Sequence, residues 1–228
     1  MRQINPVYPV NPVDNLLHMF GIDNYLAFLV AGILLNITPG SDTLYILGRS
    51  LSQGKQAGIY SALGISAGCF FHSCLAAFGL SAIIAESQLA FDVIKYTGAA
   101  YLVYLGLKML LHQKATLAIQ ATDKAHSTGK LFVSGALTNI LNPKVALFFL
   151  AFLPQFVQKE YSHEPIPFLV LGLTFTLTGT LWCILLALFS ASLSHRLKEN
   201  PTVQHWFTNV TGSVFILLGL KLTLEQAK

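Results

Sequence analysis

Apolar residues run along this chain in long blocks, without the strict alternation of a half-buried strand or the single stripe of a surface helix. Each block is about as long as the 20 or so residues a helix needs to cross a bilayer. Six blocks are legible, near residues 25–48, 57–85, 91–111, 131–157, 168–193 and 203–224. Residues 1–22 precede them as an extended tail. Pro6, Pro9 and Pro12 punctuate it, and it lacks the apolar core of a signal peptide. A polar linker, residues 112–130, divides the blocks three and three. The pattern predicts an all-α polytopic membrane protein of six transmembrane helices, with halves at 23–111 and 131–228.

Two blocks are interrupted. Residues 34–49 read LLNITPGSDTLYILGR and carry Pro39, Gly40 and Asp42 at their centre. Proline removes a backbone donor and clashes with the turn before it, at roughly 3 kcal/mol in a soluble helix. A carboxylate at bilayer depth costs about 2.5–3.5 kcal/mol on insertion scales. A helix that only anchored the protein would carry neither. Residues 139–144, NILNPK, form a second break at Pro143. Broken helices are tolerated at membrane depth where they are buried in protein or line a wet cavity. The two breaks together predict a substrate pathway.

The halves also resemble each other. Asn36-Ile37-Thr38-Pro39 is answered by Asn139-Ile140-Leu141-Asn142-Pro143, with the prolines 143 − 39 = 104 residues apart. Thr97-Gly98 and Leu105-Gly106-Leu107-Lys108 are answered by Thr211-Gly212 and Leu218-Gly219-Leu220-Lys221, with the lysines 221 − 108 = 113 apart. Three spans is an odd number, so the second half must enter the membrane the other way up. That predicts two inverted three-helix repeats with a site between helices 1 and 4.

Composition agrees and narrows the class. The 228 residues are 54% hydrophobic and 11% charged, with mean hydropathy +0.59. Soluble domains are about 25% charged. The net charge of +4 comes from Lys and Arg placed in loops, which is a membrane-topology pattern and gives no reason to expect nucleic acid. Seven such residues (Arg49, Lys55, Lys114, Lys124, Lys130, Arg196 and Lys198), with Lys108 beside them, fall on one side, against five on the other. The bias puts the 112–130 linker in the cytoplasm and both termini outside. Cys69, Cys74 and Cys183 lie in apolar blocks as packing residues, with no metal-ligand spacing, and no cofactor is expected. No His-Glu-x-x-His motif occurs, and Asp42 is the only deep acid, so no enzyme is expected.

The chain resembles the lysine exporter / homoserine–threonine resistance (LysE/RhtB) family of bacterial amino-acid exporters. The likeness rests on Thr38-Pro39-Gly40-Ser41-Asp42-Thr43-Leu44, Arg49-Ser50-Leu51, Ala62-Leu63-Gly64 through Gly68, and Gly98-Ala99-Ala100-Tyr101-Leu102. It continues through Asn139, Leu141-Asn142-Pro143-Lys144 and Leu153-Pro154-Gln155-Phe156. The family's first motif usually reads Pro-Gly-Pro, and Ser41 stands here in place of the second proline. The resemblance implies export of small amino acids or close derivatives across the bacterial inner membrane, driven by the proton gradient. Its partners would be an amino-acid substrate, protons and the lipid bilayer.

Asp42 is the leading candidate for the substrate's α-ammonium, for the coupling proton, or for each in turn. Burial in lipid penalises its charged form, which favours proton exchange. Lys144, in the second break, is a candidate partner for Asp42 or for the substrate carboxylate. Asn36, Asn139 and Asn142 bring polar groups to the breaks, and Ser41 is a candidate cap for the half-helix after Pro39. His72, mid-span, is a candidate proton relay or a packing residue. The threonines of the fifth block are expected to bond their own helix. Two alternatives stand beside amino-acid export: export of another small solute or cation, and thiol–disulfide electron carriage. The latter would need cysteines paired across the halves, and Cys183 has no evident companion. Gly64 and Gly68, four apart with Ser61 a turn before, mark a close helix–helix contact. Small residues on several spans allow such contacts within one chain or in a homo-oligomer.

Overall fold

The computed structural model describes residues 18–82, 88–111 and 126–190, with residues 209, 212, 213, 216, 217 and 220. The tail before residue 18, most of the 112–130 linker and nearly all of the sixth block lie outside the described residues. Helix α1 is Tyr25–Ile37, α2 Ser41–Gln53, α3 Lys55–Cys74, α4 Gln88–Leu111, α5 Thr128–Ile140, α6 Pro143–Leu147 and α7 Pro165–Leu188. No β-strand occurs among the described residues, only one isolated bridge.

Both expected breaks are present. The α1–α2 pair bends by 47° across Thr38-Pro39-Gly40, and α5 bends by 49° from the segment Pro143–Phe156. Each pair is apolar and long enough to cross a membrane if counted as one span. The unbroken stretches Lys55–Leu80 and Pro165–Leu188 qualify on their own. Gly54, at φ +86, closes the turn from α2 to α3 in a backbone conformation that disfavours a side chain. The π-helical turns Leu75–Leu80 and Phe148–Phe152 and a 3-10 turn at Leu153–Phe156 interrupt the regular helix near the breaks.

Helix α3 is the centre of the described bundle, flanked by α5 on one side and α7 on another. It approaches α5 through glycine. A Cβ on Gly64 would strike Phe132 O and Ala136 N, one on Gly68 would lie 2.7 Å from Ala136 O, and one on Gly135 2.5 Å from Ser61 O. The small-residue spacing read from the sequence is therefore a backbone-to-backbone contact. Gly106 of α4 and Gly212 of the sixth block meet in the same way, 2.5 Å separating a Gly106 Cβ from Gly212 O.

An aromatic cluster holds the second broken pair in place. Phe28 of α1 packs on Phe148, Phe152 and Phe156 with ring centroids 5.3–6.3 Å apart, and Phe148 stacks on Phe175 of α7 at 4.5 Å. Such pairs contribute about 0.5–1.5 kcal/mol each beyond their buried area. At one end, residues 21–23 lie antiparallel to 156–158: Asp23 N donates to Phe156 O at 2.9 Å and Gln158 N to Gly21 O at 2.8 Å. Gln158 Nε2 also donates to Asp23 Oδ1 at 2.7 Å, and His18 lies 3.0 Å from the same oxygen.

Candidate functional site

Proline explains what the two breaks expose. In a continuous helix the carbonyl of residue i accepts from the N–H of residue i+4. Pro39 has no N–H, so Leu35 O is left over, and Pro143 likewise frees Asn139 O. These two positions are 139 − 35 = 104 residues apart, the same separation as the two prolines. A buried carbonyl needs a partner, and each is supplied from the opposite half. Lys144 Nζ donates to Leu35 O at 3.0 Å and to Thr38 O at 2.9 Å. His72 Nε2 lies 3.3 Å from Asn139 O, which also accepts from Asn142 N at 3.0 Å. Because a carbonyl only accepts, this contact assigns the Nε2–H tautomer to His72.

Asp42 sits in the first turn of α2, half-buried, with its carboxylate turned to the second break. Asn139 Nδ2 donates to Oδ2 at 2.8 Å, Asn142 Nδ2 to Oδ1 at 3.1 Å, and Ser41 Oγ to Oδ1 at 3.4 Å. Asn142 is also the N-cap of α6, where its Oδ1 accepts from Lys144 N at 3.0 Å. Asn139 and Asn142 are only 3% and 5% exposed. The breaks thus complete each other. The acid after the first is held by amides of the second, and the lysine after the second caps the first.

A cavity of about 30 Å³ lies between them, room for water. Asp42, Asn36, Asn139, Asn142 and Lys144 line it, with Leu35, Ile65, Val145 and Phe175 as apolar wall. Two buried polar atoms of its lining have no hydrogen-bond partner among the described residues: Asn139 Oδ1 and Trp182 Nε1.

Several expectations need correction. Ser41 does not cap α2. Gly40 is the N-cap, and Ser41 is exposed one residue further in, reaching only its neighbour Asp42. Lys144 forms no ion pair with Asp42 within 4 Å; its ammonium is engaged by carbonyls instead. His72 does not line the cavity. It is 7% exposed and stacks on Phe149 at 5.7 Å. Asn36 lines the cavity, with its Nδ2 donating to Thr178 Oγ1 of α7 at 3.2 Å. Cys183 does have a companion across the halves, since Cys69 and Cys183 line the same cavity, both as free thiols. Thr174, Thr178 and Thr180 of α7 bond back to their own helix as expected, Thr180 to Thr176 O at 2.7 Å, whereas the Thr176 hydroxyl reaches across to α3. Thr176 and Thr180 nevertheless also line the cavity, where they reach Cys69 Sγ and Ser66 Oγ.

The sequence reading missed Trp182, Thr43, Thr176 and Thr180 as lining residues. A polar side chain in a charge-free span was the available signal for the threonines, whereas nothing in the local pattern distinguishes Trp182. The role of His72 is open to measurement. His72→Phe keeps a ring against Phe149 and removes the donor to Asn139 O, so it should lower stability by about 1 kcal/mol in thermal melts. His72→Gln should keep gradient-driven export, which a proton relay would forbid.

The LysE type translocator family model matches residues 33–226, nearly the whole apolar part of the chain. The chain belongs to the LysE type translocators. Similar proteins span its length. An uncharacterized membrane protein, YrhP, of Bacillus subtilis is 32% identical over 208 residues, covering 88% of this chain and 98% of the relative. An uncharacterized membrane protein of Vibrio cholerae is 32% identical over 205 residues, covering 89% and 98%. A leucine efflux protein of Salmonella typhimurium is 27% identical over 208 residues, covering 91% and 98%. No solved structure matches this translocator. Its membership gives a transporter as the class.

Proposed function

We propose that this translocator exports small, predominantly apolar amino acids across the bacterial inner membrane by proton antiport. Asp42 alternately holds a proton and the α-ammonium of the substrate. The observation that carries this reading is the setting of Asp42. It is the only carboxylate lining the cavity among the described residues, and neutral amides hold both of its oxygens with no cation within 4 Å. Amides orient the carboxylate without cancelling its charge, so an ammonium or a proton is still needed to neutralise it. The unpartnered Asn139 Oδ1 is a second acceptor for the ammonium. The substrate carboxylate faces the Trp182 indole N–H. The leucine efflux relative and the apolar wall both favour a small aliphatic side chain.

The same reading takes the chain as six spans in two inverted halves, with the linker in the cytoplasm and both termini outside. The proline-freed carbonyls at equivalent positions 35 and 139 support the repeat. The test is efflux of labelled leucine, alanine and threonine from proteoliposomes with an imposed pH gradient. Proton flow opposite to the substrate should accelerate efflux, and efflux should acidify the lumen. Transport indifferent to the gradient would refute antiport while leaving export itself standing.

A further inference from the structure

We propose that the carbonyls of Leu35 and Thr38 form a monovalent-cation site that the protein fills with its own lysine. Unwound carbonyls at the C-terminal end of a half-helix concentrate negative charge, from the unpaired oxygens and from the end of the helix dipole. In a broken membrane helix such groups coordinate a free cation. Here Lys144 Nζ takes that place, 3.0 Å from Leu35 O and 2.9 Å from Thr38 O. It arrives from the other half of the chain across Gly40, where a Cβ would lie only 3.5 Å from Nζ. Three features mark a cation position rather than a chance contact. Pro39 leaves Leu35 O without its helical donor. The extended Thr38, with ψ 120, turns its own carbonyl out of the helix. Asp42 lines the same cavity but lies beyond ion-pair distance of the ammonium, whose hydrogen bonds go to the two carbonyls.

Lys144 is therefore a positioning residue that acts as a tethered cation. It holds the first break in shape without drawing on external sodium or potassium. The inference goes beyond the export reading, because it predicts what the wild-type protein does not need and what a variant would acquire.

The experiment compares wild type, Lys144→Ala and Lys144→Met, each purified in choline chloride and then titrated with NaCl, KCl, LiCl or ethylammonium chloride. Lys144→Ala opens the site. Its melting temperature and folded yield should rise with one or more of these small cations, and its leucine efflux should recover severalfold. Wild type, whose site is filled, should not respond. Lys144→Met fills the volume without charge and should be neither stabilised nor rescued. Should Lys144→Ala fail to fold in choline, recovery of folded protein by a small cation carries the same support. No response of Lys144→Ala to any of the four cations overturns the proposal, and so does an equal response of all three proteins. Stability is read without transport, so this outcome is separate from any failure of the antiport reading.

Discussion

Asp42→Asn should abolish gradient-driven export while leaving a folded protein. The substitution keeps the planar shape at the centre of the site and one acceptor oxygen. One of the two amide contacts, from Asn139 at 2.8 Å or from Asn142 at 3.1 Å, can persist. What disappears is the charge, and with it the group proposed to exchange a proton for an ammonium. Removing one member of a buried, hydrogen-bonded charge pair typically costs 2–5 kcal/mol, so substrate affinity at this point should fall on the order of 100-fold or more. Coupled proton movement should vanish altogether. The measurement is paired: labelled amino-acid efflux and lumenal pH in the same proteoliposomes, with the melting temperature as control. If the variant folds and still couples efflux to protons, the acid after the first break is not the carrier.

Gly64→Val should prevent assembly. The α3–α5 contact has no slack at this position, because the added Cβ meets main-chain atoms, Phe132 O and Ala136 N, which cannot rotate aside. Overpacking a core that can adjust costs about 1–3 kcal/mol, so this rigid contact should cost at least about 3 kcal/mol. The displacement would also carry α5 away from Asp42, breaking the Asn139 contact. Loss of monodisperse protein in detergent is the expected readout. Gly129→Ala provides the comparison. It lies on the same helix α5, nothing stands within 4 Å of its Cβ, and alanine favours helix there. A Gly64→Val protein as stable as Gly129→Ala would show that the contact yields.

The positions of both breaks were readable in the sequence because proline acts locally. It deletes a known hydrogen bond wherever it stands, so Pro39 and Pro143 mark their own consequences. The replacement partner for a freed carbonyl was not readable. Leu35 O and Lys144 are 109 residues apart, and their meeting depends on how α3, α5 and α7 pack. For the same reason Lys144 was a candidate partner for Asp42, and nothing local decided between relay and packing for His72. Ser41 misled for a different reason: residue type suits a cap, but the extended Gly40 already occupies the cap position. Cys183 seemed isolated because a thiol brought in from the other half leaves no local signal; only the packing of α3 against α7 puts Cys69 in the same cavity. The small-residue stripe at Gly64 and Gly68 read correctly, since backbone approach depends only on a missing side chain at regular spacing.

The short antiparallel join between residues 21–23 and 156–158 has a mechanical consequence. It ties the start of α1 to the far end of the segment beginning at Pro143, so the two elements share a fastening at one face. On the proposed two-halved reading, rocking of one half against the other would be levered about that seam. The widest displacement would fall at the opposite end of the bundle, where α2 turns into α3 over Gly54.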